Sequence, residues 1–384
     1  MSLQVLADEN IPALETLLGS VANVTRLPGR GISREQLQQA DALLVRSVTQ
    51  VNAGLLAGTN VRFVGTATSG FDHVDRDWLQ TAGIDFAYAP GSNANSVVEY
   101  VLAALSHVDD YLERLMAGGT VGIVGYGQIG KALVRRLSAL GIPCRVSDPW
   151  LPAKSGANLA GLDEVLACDV ICLHPELTRQ QPWPSYHLLD RHALDVIGQG
   201  QLLINASRGP VIDNKALLDR LAKPSSPVAV LDVWEHEPAV SAQLLRHARL
   251  GTAHIAGYSY DGKILATRML CEGMAMSLGI SLPGVDSIAP GAESPVYVPP
   301  GLSAPDTVRL LIRSCYCIEE DDHLLRSATF NSNSEKAAEQ FDLLRKHYAK
   351  RRELVGKPVL LDTVTGPQAA LVKALGCIPV IKGQ

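Results

Sequence analysis

Val121-Gly122-Ile123-Val124-Gly125-Tyr126-Gly127-Gln128-Ile129-Gly130 is a short apolar run that breaks into a Gly-x-Gly-x-x-Gly turn. An apolar stretch, Ile129–Leu140, follows at once and reads as a helix. The first glycine of such a turn permits the bend, the second lets the backbone approach a pyrophosphate, and the third lets helix and strand pack closely. The helix N-terminus then offers unpaired N–H groups and partial positive charge to phosphate. A glycine turn alone is weak, but strand before and helix after is the context that a dinucleotide site requires. Asp148 ends the next apolar run, about 20 residues on, where a carboxylate accepts ribose hydroxyls and repels a 2′-phosphate. NAD, rather than NADP, is the cofactor this spacing predicts. The competing reading of Asp148 is a cap on the turn before Pro149.

Outward from that turn the chain alternates. Val121–Val124, Cys144–Ser147, Val170–Leu173, Leu202–Asn205 and Val228–Asp232 read as strands; Leu162–Leu166, Asp190–Val196 and Asp213–Leu221 read as helices. Upstream, Leu3–Ala7, Val21–Leu27, Ala42–Val45, Val61–Gly65 and Ile84–Tyr88 read as strands between helical Ile11–Leu18, Arg34–Gln39, Ala53–Leu56 and Val74–Thr81. Alternation of this kind predicts parallel sheets covered on both faces. Asn93–Met116 reads as one long helix, capped by Asn93 or Asn95. Tyr258–Leu278 reads as a second, which would return the chain to its first domain. The prolines of Ser281–Pro300 mark a linker or wrapping loop. Beyond it Thr307–Glu319 is strand-like, which would put Cys315 and Cys317 on one face. Glu335–Lys350 is helical, and Pro358–Leu361 with Gln368–Leu375 adds a strand and a helix. The fold class is therefore α/β, two doubly wound parallel-sheet (Rossmann-like) domains plus a small C-terminal α+β domain.

A chain of 384 residues exceeds one ordinary core. With 47% hydrophobic and 19% charged residues it has a globular balance, and its net charge of −5 gives no nucleic-acid footprint. No apolar run is long enough for a bilayer, and Met1-Ser2-Leu3-Gln4 lacks a basic region followed by an apolar one, so a cytoplasmic protein is the default expectation. The seven cysteines are scattered and show no paired CxxC spacing. They read as buried reduced thiols, with no metal site.

A second set of residues carries chemistry. Asn205-Ala206-Ser207-Arg208-Gly209 and Asp232-Val233-Trp234-Glu235-His236-Glu237-Pro238 lie at the ends of predicted strands, and His254 follows the last of them. Ligands of open α/β sheets bind at those carboxyl ends. Oxidising a secondary alcohol needs a base, and a histidine oriented by a carboxylate is one. A guanidinium grips a substrate carboxylate with two prongs. Taken singly, Arg208 also reads as a surface ion-pair partner, Glu237 as a loop cap and His254 as a core histidine. Over residues 1–280 the chain resembles the NAD-dependent D-isomer-specific 2-hydroxy-acid dehydrogenases. That resemblance implies Arg208 as the substrate-binding cation, Glu237 as the partner of the histidine and His254 as the acid/base. It also implies cofactor contacts from Gly125, Gly127, Gln128, Ile129, Gly130, Asp148, Ser207, Asp232 and Gly257.

Within the family the resemblance is strongest to the branch that oxidises a phosphorylated four-carbon hydroxy acid on the route to pyridoxal 5′-phosphate (vitamin B6). It rests on Ala7-Asp8-Glu9-Asn10, Leu44-Val45-Arg46-Ser47-Val48-Thr49, Phe63–Asp75, Ala89–Asn95 and His254-Ile255-Ala256-Gly257-Tyr258. It implies substrate contacts from Ser47, Thr68 and Tyr258. It further implies a substrate-binding domain of residues 1–93 and 256–280, an NAD-binding domain of residues 94–255, and a dimerisation domain of residues 285–384 that makes a homodimer. One segment departs: relatives carry His-Thr-Pro-Leu after the fourth strand, where this chain has His174-Pro175-Glu176-Leu177-Thr178. The alternatives are a family member acting on 3-phosphoglycerate, glyoxylate or hydroxypyruvate, and a non-catalytic NAD-sensing corepressor or scaffold. A methyltransferase would leave the second set of residues unexplained.

Overall fold

The structure, a computed structural model, describes residues 2–152, 158–282 and 294–382. It divides into two compact units, one of residues up to 93 with those from 259 to 282, the other of residues 94–258 with those from 294 onward. Both are built on parallel sheets, and a small third sheet lies near the C-terminus, as the expected fold class requires.

In the first unit five strands, β1 (Leu3–Asp8), β2 (Ala22–Leu27), β3 (Ala42–Val45), β4 (Phe63–Thr66) and β5 (Asp85–Tyr88), pair in the order β2-β1-β3-β4-β5. Every pairing is parallel. β3 and β4 are buried along their whole length, which is why they read as unbroken apolar runs. The helix Tyr260–Leu278 returns to this sheet: a side chain at Gly273 would meet the Ala87 Cβ at 2.9 Å, so the helix axis lies close to the strands. Ser259 starts that helix by accepting from the Gly262 N–H at 2.9 Å, two residues later than the apolar pattern predicts.

The second unit holds β6 (Val121–Val124), β7 (Cys144–Ser147), β8 (Val170–Leu173), β9 (Leu202–Asn205), β10 (Val228–Leu231) and β11 (Leu250–Gly251), in the order β11-β10-β9-β8-β6-β7. The order reverses between β6 and β8, so the crevice for a ligand opens beyond their carboxyl ends. Residues from 294 onward add β12 (Val296–Tyr297), β13 (Pro358–Leu361) and β14 (Ile378–Ile381), a parallel β12-β13-β14 sheet. Val308, Leu311, Leu354, Val359 and Leu361 share one continuous core with Val97, Val101, Ile123 and Ile204.

Several elements differ from expectation. Asn93–Met116 is two helices, Ala94–His107 and Tyr111–Met116, broken where Asp109 takes φ 44°, a conformation short polar side chains tolerate. The Asn93 side chain instead accepts from the Ser69 hydroxyl at 2.5 Å. Thr307–Glu319 is not a strand. It spans the helix Ala304–Arg313 and the start of Ile318–Phe330, with Cys315 and Cys317 in the turn between them. Ser303 caps the first of these at Asp306, and Thr307, Val308, Leu311 and Ile312 bury a helical face. β11, β12 and β14 were not expected; two are only two residues long. Most of Ser281–Pro300 lies outside the described residues.

Glu99, on Ala94–His107, is 2% exposed, and its Oε1 accepts the Leu354 N–H at 2.7 Å. Burial, with Glu353 adding like charge, pushes its carboxyl up to about 8. An unfolded glutamate titrates near 4.3. Between those values the folded chain holds a proton that the unfolded chain releases, so stability falls as pH rises from about 4.3 toward about 8. Glu99→Gln should flatten that decline in Tm across pH 5–8. Parallel Tm-versus-pH curves for the two proteins would refute the assignment.

Candidate active site

The glycine turn follows β6 directly. Gly125 takes φ 92°, and a Cβ there would sit 2.6 Å from the Pro175 nitrogen, so the segment after β8 lies against the turn. A Cβ on Gly130 would collide with the Gly125 carbonyl oxygen, whereas one on Gly127 would stand in open space. The three glycines thus divide into two forced by packing and one where the backbone is open to approach. No side chain caps the helix Gln128–Ala139. Its first-turn N–H groups, including those of Gln128 and Ile129, meet the requirement for a pyrophosphate site. The residues present fit NAD.

Asp148 fastens this turn. Its Oδ2 accepts the Tyr126 N–H at 2.8 Å and its Oδ1 the Trp150 N–H at 3.1 Å. The capping reading is therefore realised, and each oxygen keeps a further lone pair for a ribose hydroxyl. His174, in the departing segment, is buried with neither ring nitrogen hydrogen-bonded among the described residues, and burial pulls it down to about 4, so it is neutral. Thr178, which ends that segment, accepts the Gln180 N–H on its Oγ1 at 3.0 Å.

The loops beyond β9 and β10 are pressed together. A Cβ on Gly209 would collide with the Trp234 carbonyl, so only glycine lets Arg208 and the Trp234–Glu237 segment approach this closely. Asn205 accepts from both the amide (3.1 Å) and the hydroxyl (2.8 Å) of Ser207, and donates to the Arg208 carbonyl at 3.1 Å. Arg208 donates through Nη1 to the Ser207 carbonyl at 2.9 Å.

His254 Nδ1 lies 2.7 Å from Glu237 Oε2. An ionised carboxylate only accepts, so Nδ1 carries a proton, and a neutral ring then has its lone pair at Nε2. Burial pushes the Glu237 carboxyl up. The His254 charge and hydrogen bond, the Trp234 N–H and Arg345 outweigh it and hold the carboxyl below its usual range. His254 takes φ 55°, a left-handed conformation costing on the order of 1–2 kcal/mol for a residue with a Cβ. Asp232 holds it there. Its carbonyl accepts the His254 N–H at 2.8 Å, and its carboxylate accepts Thr252 Oγ1 (2.6 Å), Ile255 N (2.8 Å) and Ala256 N (2.9 Å). Gly257, half-buried, and Tyr258 follow on the same loop.

In the first unit, Ser47 is exposed just beyond β3, and Thr68 is half-buried just beyond β4. Thr68 donates to the Gly70 carbonyl at 2.7 Å, so Thr66 donates to Thr68 (2.7 Å), and His73 Nε2–H donates to Thr66 (2.8 Å). These hydroxyls sit at strand carboxyl ends, as in the second unit.

Two side chains near the His254 loop were absent from the sequence reading. The Tyr258 ring meets Tyr348 edge-on at 5.8 Å, and Arg345 Cζ lies 5.7 Å from the Tyr258 ring centre. Both come from near the end of the helix Ser334–Lys346. Nothing in the local sequence separates Arg345 from an ordinary basic residue in a last helical turn.

Comparison with known proteins agrees with this geometry. Residues 100–256 match the family model described as the NAD binding domain of D-isomer specific 2-hydroxyacid dehydrogenases. Residues 300–376 match one described as a domain of unknown function. The erythronate-4-phosphate dehydrogenase of Cellvibrio japonicus is 44% identical over 373 residues, covering 94% of this chain and 95% of that protein. That of Pseudomonas savastanoi pv. phaseolicola is 43% identical over 384 residues, covering 98% and 100%. Among solved structures, an Aquifex aeolicus D-lactate dehydrogenase complexed with NAD and lactic acid has the same fold, with TM-score 0.59 and 22% identity over 72% of this chain and 96% of that one. An NAD-binding oxidoreductase domain, a histidine–glutamate pair and near-full-length likeness converge, and the chain belongs to the erythronate-4-phosphate dehydrogenase family within the D-isomer specific 2-hydroxyacid dehydrogenases.

Proposed function

We propose that this protein oxidises 4-phospho-D-erythronate at its 2-hydroxyl to (R)-3-hydroxy-2-oxo-4-phosphooxybutanoate, a step toward pyridoxal 5′-phosphate. The observation that carries the chemistry is the 2.7 Å contact of His254 Nδ1 with Glu237, which leaves Nε2 as a base. The near-full-length relatives carry the choice of substrate. When bound, NAD would supply the acceptor for the C2 hydride. His254 Nε2 takes the hydroxyl proton as the O–H electrons form the new carbonyl, and ionised Glu237 stabilises the imidazolium. Arg208 grips the substrate carboxylate through paired N–H donors. Gly125, Gly127, Gln128, Ile129 and Gly130 cradle the pyrophosphate, Asp148 takes the ribose, and Ser207, Asp232 and Gly257 line the nicotinamide end. Ser47, Thr68 and Tyr258 supply further oxygens to the substrate.

In this reading residues 1–93 and 256–280 form the substrate-binding domain, residues 94–255 the NAD-binding domain and residues 285–384 the dimerisation domain. Two copies assemble through the last, in the cytoplasm. No helix among the described residues is long and apolar enough to cross a membrane, in keeping with that location.

NADH formation should be faster with 4-phospho-D-erythronate than with 3-phosphoglycerate, glycolate or glycerate, compared as kcat/KM. A higher value for any of those acids would replace the proposed substrate. His254→Ala should lower kcat by ~10²–10⁴-fold with NADH binding intact by fluorescence titration; near-wild-type turnover would remove it as the base. Arg208→Ala should cut kcat/KM by roughly 10–100-fold, the worth of a charge-assisted hydrogen bond. Sedimentation equilibrium of the full chain should give twice the chain mass, and a monomer at micromolar concentration would refute the dimer.

A further inference from the structure

We propose that Arg345, on the helix Ser334–Lys346 of the C-terminal segment, binds the phosphate end of the substrate beside His254 and Glu237 and so sets specificity for a phosphorylated acid. This rests on the dehydrogenase reading above and extends it to the second anionic group of the substrate.

Arg345 lies against the loop that follows the histidine. Its guanidinium carbon is 5.7 Å from the ring centre of Tyr258, four residues after the histidine, and 5.9 Å from that of Phe341, which is buried. Its Nε is buried with no hydrogen-bond partner among the described residues. A buried guanidinium N–H without an acceptor is costly, and a phosphate oxygen satisfies it with a strong charge-assisted bond. Burial works against the Arg345 charge, and Tyr258, Glu237 and Asp342 more than restore it. The side chain therefore stays cationic beside the histidine–glutamate pair.

Charge balance points the same way. The substrate carries a carboxylate and a phosphate, and Arg208 answers only one of them. Arg351, another arginine of the C-terminal segment, is tied through Nη2 to the Ser96 carbonyl and hydroxyl and the Ala256 carbonyl, is stacked 4.2 Å from the Tyr316 ring centre, and keeps its Nε and Nη1, unpartnered among the described residues, enclosed. It is 5% exposed and holds backbone. Arg345 is half-buried. Guanidinium forks match phosphate oxygens in pairs, which an ammonium does not.

The test compares wild type with Arg345→Gln and Arg345→Lys, which keep the aliphatic stem against Tyr258 and Phe341. Each full-length protein is assayed at saturating NAD with 4-phospho-D-erythronate and with D-erythronate, and titrated with NADH. Arg345→Gln should lose on the order of 10–100-fold in kcat/KM on the phosphorylated acid, mostly through KM. It should change less than about twofold on D-erythronate, the lost contact being to phosphate alone. Arg345→Lys should recover part of the loss, and the NADH Kd should not move. Equal losses on both acids would mean that Arg345 acts through Glu237 and would overturn the proposal. So would an unchanged KM for the phosphorylated acid, or a weakened NADH Kd, which would assign the guanidinium to the cofactor phosphates. A wild type with no preference for the phosphorylated acid would overturn the substrate reading and this inference together. A preference that survives Arg345→Gln would overturn this inference alone.

Discussion

The site depends on the Asp232 carboxylate. Buried at 1% exposure, it spends its oxygens on Thr252, Ile255 and Ala256 while its own carbonyl takes the His254 N–H. Four hydrogen bonds from one residue hold a histidine in a backbone conformation that it disfavours. In that conformation the imidazole presents Nδ1 to Glu237 at 2.7 Å. The hold runs deeper, since Thr252 donates to Asp232 and so Tyr100 donates to Thr252, at 2.9 Å. The Trp234 indole donates to the Thr252 carbonyl at 3.0 Å. Strain of this kind persists only where its surroundings over-determine it, as here.

The C-terminal segment belongs to that support. Arg351 reaches the Ala256 carbonyl, Asp322 accepts the Gly251 N–H at 2.7 Å, and Arg326 donates to the carbonyls of Leu245 and Ala248 at 2.8 Å each. These contacts satisfy backbone groups around β11 and on the loop that carries the histidine. An appended segment that satisfies such groups can tune a site without touching the reacting atoms. It shares its core with the NAD-binding sheet, so the two fold as one body.

Much of the fold was legible because parallel sheets bury both faces. β3, β6, β7, β8, β9 and β13 have the bounds that their apolar runs predict. The errors have equally plain causes. In Thr307–Glu319, β-branched and apolar residues outweighed the spacing of Val308, Leu311 and Ile312 and the Ser303 cap that mark a helix. At Asp109 a single left-handed residue divides what periodicity joins. β11 and β12 escape because two residues carry no period.

For the site, the sequence by itself determined the glycine turn, the aspartate that follows it, and the arginine, glutamate and histidine beyond successive strands. Short loops leaving parallel strands must end on one edge of the sheet, so residue order there already implies proximity. Tertiary structure alone decided that Asp232 serves as the clamp beneath His254, that Gly209 is forced by Trp234, and that Arg345 stands beside Tyr258. Those facts depend on segments 22 (Asp232 to His254), 25 (Gly209 to Trp234) and 87 (Tyr258 to Arg345) residues apart meeting in space, and no local pattern encodes which side chain a distant helix will turn toward a loop.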